Sequence, residues 1–402
     1  MVVGKDMRHS SNELAEQLIK GITGQGANVI DIGLCSTPIN YYANGVLKAD
    51  ASVMVTASHN PSGWNGFKIS REKAIPLSGD TGIMDIKDKV IKNDFKSAEK
   101  PGSVKKRAIL GEYCTFVKNH FHPNQRKLKM VADCGNAMGV YELKSLNLPG
   151  IEILPMYDEL DGGFPNHEAN PLKHETLVNL QKRVKNEKAD LGVAFDGDGD
   201  RIGIVDEKGE IIRNDFLTAL IAEDVLTDKK GAKIFYDLRS SKIVKETIEK
   251  SGGRALMCRV GHAFIKEEMK QENALFAGEL SGHYYFQENF NAESSALAVV
   301  RIINLLLKTG KPISDLAEKL KLYYQSGEIN REVRDKDTVL KKLEKNYKDG
   351  RIYRLDGLSI EYKHWWCNVR PSNTEPLLRL NIEANTKKLM EQKRDEILAF
   401  YD

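Results

Sequence analysis

At 402 residues, with 41% hydrophobic, 29% charged and 7% aromatic side chains, the chain exceeds one ordinary core and has room for roughly three or four domains. Its 60 basic and 57 acidic residues leave a net charge of +3, which gives nucleic-acid binding little support. No apolar run approaches the ~18 residues of a membrane helix, and five scattered cysteines without CxxC spacing exclude a disulfide framework and a zinc site, as suits a reducing, cytoplasmic compartment.

In chain order, MVVGKDMRHSS reads as a short strand, a loop with Asp6 and Arg8, and a helix from about Ser11 to Ile22, marked by Leu14, Leu18 and Ile22. The strand ANVIDIG follows. The order recurs in KMVADCGNAMG, with Asp133 and then GIEILPM, although its helix is poorly marked. It recurs again in AKIFYDLRSS, with Asp237 and Arg239, then SKIVKETIEK and GGRALMCRVG. Each repeat then supplies a third strand that runs into a polar loop. ASVMVT leads to Ser58, ADLGVAF to Asp196, Asp198 and Asp200, and NALFA to Glu279, Ser281 and His283. Alternating strands and helices predict three tandem α/β domains with mixed sheets, and ligands of such sheets gather beyond the carboxyl ends of the strands. Three chemically different loops in equivalent places imply one shared central cleft.

The breaks between repeats are polar. AEKPGSVKKR is a linker with a Pro-Gly turn, and IVDEKGEIIRND is a hairpin with Asn214 as N-cap of the next helix. KTGKPISD begins the exit from the third repeat. The strands GLSIEY, WWCNVR and LLRLNIEA then build a smaller C-terminal α+β domain. The expected domains are 1–105, 106–213, 214–312 and 313–402.

Four loops carry the chemistry. Ser58, followed by His59, Asn60 and Pro61, is an exposed hydroxyl outside any GxSxG elbow. Asp196, Asp198 and Asp200 would repel one another without a cation between them, and an all-oxygen set points to Mg2+ or another hard ion. Arg201 stands where an EF-hand loop needs glycine, and the flanks are strand-like. A haloacid-dehalogenase-type phosphatase needs a later Gly-Asp stretch, and none follows Asp200. Glu279, Ser281 and His283 alternate, so they can face one side and bind sugar hydroxyls. Arg370, Ser372, Asn373, Thr374 and Arg379 offer a fork and donors that match phosphate oxygens. Hydroxyl, cation site, sugar reader and phosphate anchor together describe phosphoryl transfer. No GxxxxGK[ST] nucleotide loop is present, so the phosphate donor is expected to be the protein itself.

TASHNPSGWNGFKI, DGDGDR, GELSGH and RPSNTEP, in this order along essentially the whole chain, resemble the phosphoserine, metal, sugar and phosphate loops of the α-D-phosphohexomutase superfamily. VADCGNAMG, DGGFPNH and RVGHAFIK are supporting signatures. The resemblance implies four domains around one cleft and reversible transfer of phosphate between positions 1 and 6 of a hexose phosphate. It implies a phosphoserine at Ser58, Mg2+ held by Ser58, Asp196, Asp198 and Asp200, and a hexose 1,6-bisphosphate intermediate that turns around. By position, Lys68 and His283 become acid–base candidates, while Arg201, Arg239 and His262 become phosphate or substrate contacts. Leu280 in the sugar loop is similar to the phosphomannomutase/phosphoglucomutase branch, where glucosamine-phosphate mutases usually carry glutamine. A phosphorylated hexose is the expected partner, with no nucleic acid or membrane, in a monomer or dimer.

Two features depart from the family pattern. EANP lacks a second proline. The resemblance also implies one more strand and helix, with a Tyr-Asp-Ile-Arg-Gly segment, ahead of VVGKDMR; a chain short by that much is expected to expose a sheet edge and to be weakly active. A non-catalytic sugar-phosphate-binding paralogue is the reading from another functional class.

Overall fold

A computed structural model describes every residue except Lys96, Asn373, Thr374 and Asp402, and omits the side chain of Asp80. Among the described residues, three sheets have five strands each, four of which follow one shared order, and a fourth sheet has six. In the first sheet, Val2–Lys5 lies between the parallel strands Val29–Leu34 and Ala51–Val55, and the antiparallel strand Phe67–Arg71 lies beyond the latter. The second sheet repeats this with Leu128–Asp133 beside Ile151–Met156 and Leu191–Phe195, and Ile202–Asp206 antiparallel. The third does so with Lys233–Asp237, Arg254–Cys258, Phe276–Gly278 and Tyr284–Phe286. The internal repeat is therefore a repeat of topology. In each copy the chemically distinctive loop joins the third strand to its antiparallel neighbour.

A second equivalence fixes the loop after each first strand. Asp6, Asp133 and Asp237 end these strands, and each carboxylate accepts the backbone N–H two residues on, at 3.0, 2.9 and 2.9 Å. Aspartate suits the position because its short side chain closes such a turn on its own backbone.

The fourth domain is an antiparallel sheet with its own apolar core, in which Leu343, Leu358, Val369, Leu380 and Ile397 are buried. No helix of the described residues is long and apolar enough to cross a membrane.

Two local expectations differ from the structure. The Pro-Gly linker contributes Val104–Lys106, an edge strand of the first sheet beside Val29–Leu34; its side chains are all exposed, so it carries no apolar pattern. Asn214 is not an N-cap but the first residue of helix Asn214–Val225, and its Nδ2 donates to the Leu280 carbonyl at 3.0 Å. Val2–Lys5 lies centrally in its sheet, and Phe67–Arg71 is an edge strand. The outer side of Phe67–Arg71 is partly taken by the following turn, through Arg71 N–H to Ile75 O at 2.7 Å and Leu77 N–H to Ile69 O at 2.8 Å.

One long-range contact anchors the DGGFPNH loop to the second sheet. His167 Nε2 lies 3.0 Å from Asp133 Oδ2. Burial opposes the imidazolium, but the Asp133 carboxylate prevails and raises the His167 pKa. A raised folded-state value contributes stability that is complete below the ordinary histidine pKa of about 6.5 and is lost as pH rises through the folded value. Solvent reaches part of the ring, so the contribution is set at about 1 kcal/mol, below the range for charged hydrogen bonds. His167→Gln is expected to lower Tm at pH 6 and to change it much less at pH 9. Equal losses at both pH values would show that the charge plays no part.

Candidate active site

Ser58 adopts a left-handed backbone conformation, φ +52°, which is uncommon for a residue with a side chain and clusters at functional sites. The loop around it is held by Arg8, a buried guanidinium that donates to four main-chain carbonyls. They are Ser58 O (2.8 Å), Asn60 O (2.6 Å), Pro61 O (2.7 Å) and Trp64 O (3.1 Å). Asp6 balances its charge through Arg8 Nε at 3.1 Å. The Ser58 hydroxyl donates to Asp196 Oδ2 at 3.3 Å and lies 3.1 Å from His59 Nδ1. This approach needs Gly197, since a Cβ there would lie 2.2 Å from Ser58 O.

Asp196, Asp198 and Asp200 are buried and present carboxylate oxygens that all lie within 4.8 Å of one another. Among the described residues Asp198 Oδ1 has no hydrogen-bond partner, and Asp200 Oδ1 has only the contact with His283. Burial raises the Asp196 pKa, and the charges of Asp200 and Asp198 add to the effect. Asp200 is also buried, yet Lys68, His283 and Arg201 hold its pKa well below the ordinary value. An oxygen-only cluster with an orphaned carboxylate oxygen fits a hard divalent cation. Lys68 Nζ lies 2.6 Å from both Asp198 Oδ2 and Asp200 Oδ2. Burial disfavours this ammonium, but the two carboxylates more than offset it and raise its pKa well above the usual lysine value.

The sugar-loop candidates meet the acidic cluster through His283. Its Nε2 lies 3.3 Å from Asp200 Oδ1 and 3.1 Å from Arg201 Nε, and its Nδ1 lies 3.1 Å from Glu279 Oε2 and 2.9 Å from Ser281 Oγ. Burial and Arg201 oppose its charge; Asp200 and Glu279 prevail and push the pKa up to about 9. Glu279 is also buried, but His283, Tyr285 and Arg239 pull its pKa down to about 2. A backbone bridge between Arg201 and His283, with Ile202 N–H donating to Gly282 O at 3.1 Å, joins the two loops. His262 heads helix His262–Glu272, is half-exposed, and has Nδ1 3.8 Å from Glu293 Oε1.

The phosphate-anchor candidates converge from two domains. Arg239, Arg370 and Arg379 lie 3.7, 3.3 and 3.8 Å from the single carboxylate of Glu328. Among the described residues, Nε of both Arg370 and Arg379 is buried without a hydrogen-bond partner. Asp237, Asp356 and Glu375 pair with Arg239, Arg370 and Arg379 in turn, so what the cluster offers a further anion is its unpaired N–H donors rather than surplus charge. Ser372 is buried, and its N–H pairs with Leu377 O at 3.0 Å. Asn373 and Thr374 lie outside the described residues.

Sequence reasoning did not assign four residues that shape this site. Arg8 stood in the Asp-x-Arg pattern that Asp237-x-Arg239 repeats, and that recurrence was the available signal. Glu328, Tyr285 (OH to Glu279 Oε2, 2.5 Å) and Thr37, whose hydroxyl donates to Asp198 Oδ2, had none.

Four family models match the chain in order. Phosphoglucomutase/phosphomannomutase α/β/α domains I, II and III match residues 1–97, 111–209 and 213–323, and the C-terminal domain of that family matches 328–400. A phosphomannomutase of Methanocaldococcus jannaschii is 42% identical over 99% of this chain and 88% of its own length. A phosphomannomutase/phosphoglucomutase of Pseudomonas aeruginosa is 37% identical over 98% and 85%. A crystal structure of a phosphoglucomutase/phosphomannomutase family protein from Burkholderia thailandensis superposes with a TM-score of 0.90 at 30% identity, covering 99% of this chain and 88% of that one. With the repeated sheets, the acidic cluster and these likenesses in agreement, the chain belongs to the phosphoglucomutase/phosphomannomutase family and is a phosphohexomutase, an enzyme that moves phosphate within a hexose phosphate.

Proposed function

We propose that the enzyme interconverts the 1- and 6-phosphates of mannose and glucose through a phosphoserine at Ser58 and a hexose 1,6-bisphosphate. The observation that carries this reading is the Ser58 hydroxyl 3.3 Å from Asp196 Oδ2, at the edge of a buried acidic cluster that His283 joins to the sugar loop. Ser58 with Asp196, Asp198 and Asp200 would hold Mg2+, which neutralises charge on the transferring phosphoryl group when bound. Arg239, Arg370 and Arg379, with Ser372, Asn373 and Thr374, grip the phosphate that is not reacting. Glu279 and Ser281 orient the sugar ring through its hydroxyls.

In the first half-reaction the free sugar hydroxyl attacks the phosphoserine. The P–O bond to Ser58 breaks and the new P–O bond forms on the sugar, while the pair Lys68 and His283, charged here and flanking Asp200 at 2.6 and 3.3 Å, donates a proton to the departing Ser58 Oγ and takes the one that the sugar hydroxyl releases. The bisphosphate then turns around. Its other phosphoryl group returns to Ser58 Oγ, and the serine's proton passes through the same pair to the departing sugar oxygen. Arg201 steadies His283, and His262 is placed at the rim as a substrate contact. An anion gripped at one end and a reaction at the other is what lets one site serve both carbons.

Leu280 supplies no side-chain hydrogen bond where an amino-sugar reader would. Glucose and mannose 1-phosphates are both expected to turn over, with kcat/KM for glucosamine phosphate about tenfold lower or more. Coupled assays of the three substrates test this. A clear preference for glucosamine phosphate would overturn the substrate assignment.

A further inference from the structure

Glu142 is a fully buried carboxylate in the short helix Gly139–Ser145, and no step of the mechanism uses it. Its three donors come from three domains. Ser36 Oγ of the first domain donates to Oε1; Tyr113 OH of the second donates to Oε2 at 3.0 Å; the backbone N–H of Ala296 in the third donates to Oε2 at 3.1 Å. Ser294 Oγ closes the network against Tyr113 OH at 2.8 Å. All of these donors are neutral. Burial pushes the Glu142 pKa up to about 7, and only these hydrogen bonds resist it. A buried charge without an ion partner is costly, and an apolar residue of similar volume would pack there at no such cost.

The donors explain why a carboxylate serves here. Ser36 is the N-cap of helix Thr37–Val46, and Ala296 is the second residue of helix Ser295–Thr309. Two helix N-termini from different domains thus meet one negative charge, the polarity that their dipoles favour. The residue next to each of these donors grips the metal loop. Thr37 N–H donates to Asp198 O at 2.9 Å and its hydroxyl to Asp198 Oδ2, while Ser295 Oγ donates to Gly199 O at 2.7 Å. Gly199 itself sits against the same pair, since a Cβ there would lie 3.2 Å from Ser36 Cβ and 3.3 Å from Glu142 Cγ.

We propose that Glu142 is a positioning residue that sets the acidic loop for its cation, by fixing two helix N-termini whose neighbouring residues hold Asp198 and Gly199. The inference rests on the reading of Asp196, Asp198 and Asp200 as metal ligands. It predicts a defect in metal affinity without a matching defect in sugar binding, because the sugar and phosphate loops hang from other strands.

The test uses full-length Glu142→Gln, which keeps the shape but replaces one acceptor oxygen with a donor, and Tyr113→Phe, which removes one of three donors and leaves the carboxylate. Mn2+ affinity is measured directly by calorimetric titration on each purified protein, together with Tm and with KM for glucose 1-phosphate at saturating metal. Supporting residues of this kind typically change metal affinity by about 10- to 100-fold. Glu142→Gln is therefore expected to weaken Mn2+ binding at least tenfold, and Tyr113→Phe to weaken it less, with KM unchanged in both. If Glu142→Gln does not fold, the Tyr113→Phe titration alone decides. Wild-type protein that binds Mn2+ no better than the variants, while binding it well, overturns the proposal; wild-type protein that binds none overturns the metal reading beneath it.

Discussion

Replacing Ser58 with alanine is expected to abolish mutase turnover, by four orders of magnitude or more in kcat, while the protein stays folded and still binds hexose phosphate. Four orders correspond to about 5.5 kcal/mol of lost transition-state stabilisation. The hydroxyl contacts only Asp196 and His59, so its removal leaves the Arg8 cradle of main-chain carbonyls intact. His59, with Nδ1 3.1 Å from the serine hydroxyl, is the neighbour to check as a substitute carrier, and the peptide map covers it. Intact mass before and after phosphatase treatment, followed by peptide mapping, should locate phosphate on Ser58 of the wild type and on nothing in the variant. Near-normal turnover by the alanine variant, purified free of host mutase, would refute the phosphoserine route.

Removal of the metal is expected to be nearly as damaging to activity and much less so to the fold. Lys68 already lies 2.6 Å from Asp198 and from Asp200 and offsets part of their repulsion without a cation. Chelated protein should therefore keep its Tm within a few degrees, lose activity fully, and regain it when Mg2+ is restored. Asp200→Asn should lower kcat by roughly 10³, in the range found where a group that stabilises transition-state charge is lost. The assignment fails if exhaustively chelated enzyme still turns over at its normal rate.

What could be read from the sequence divides by range. Strands, the hairpin at Ile202–Ile212 and the loop of three aspartates were legible because their signals are local, in alternation, turn chemistry and spacing. Helix Gly139–Ser145 was faint because it is only seven residues long. The edge strand Val104–Lys106 was hidden by its exposed lysines. Residues that act through distant partners left no trace. Arg8 works on carbonyls more than 50 positions away, Glu328 matters only once Arg239 and Arg370 fold around it, and Tyr285 is recognisable only by the carboxylate it meets. Central placement of Val2–Lys5 was equally opaque, because a four-residue apolar strand reads alike at an edge or in the middle.

The recurrence of one hairpin loop in three sheets also bears on how such an enzyme can change over generations. A duplicated frame supplies three sites that begin alike and are then free to diverge, one toward a nucleophile, one toward a cation clamp and one toward a sugar reader. Because each loop hangs from its own sheet, drift in the third at positions other than His283 can retune which hexose is accepted while the proposed phosphoryl chemistry is kept. Selection for a new substrate then acts on a handful of positions around Glu279–His283. Innovation and conservation are parcelled into separate pieces of one chain.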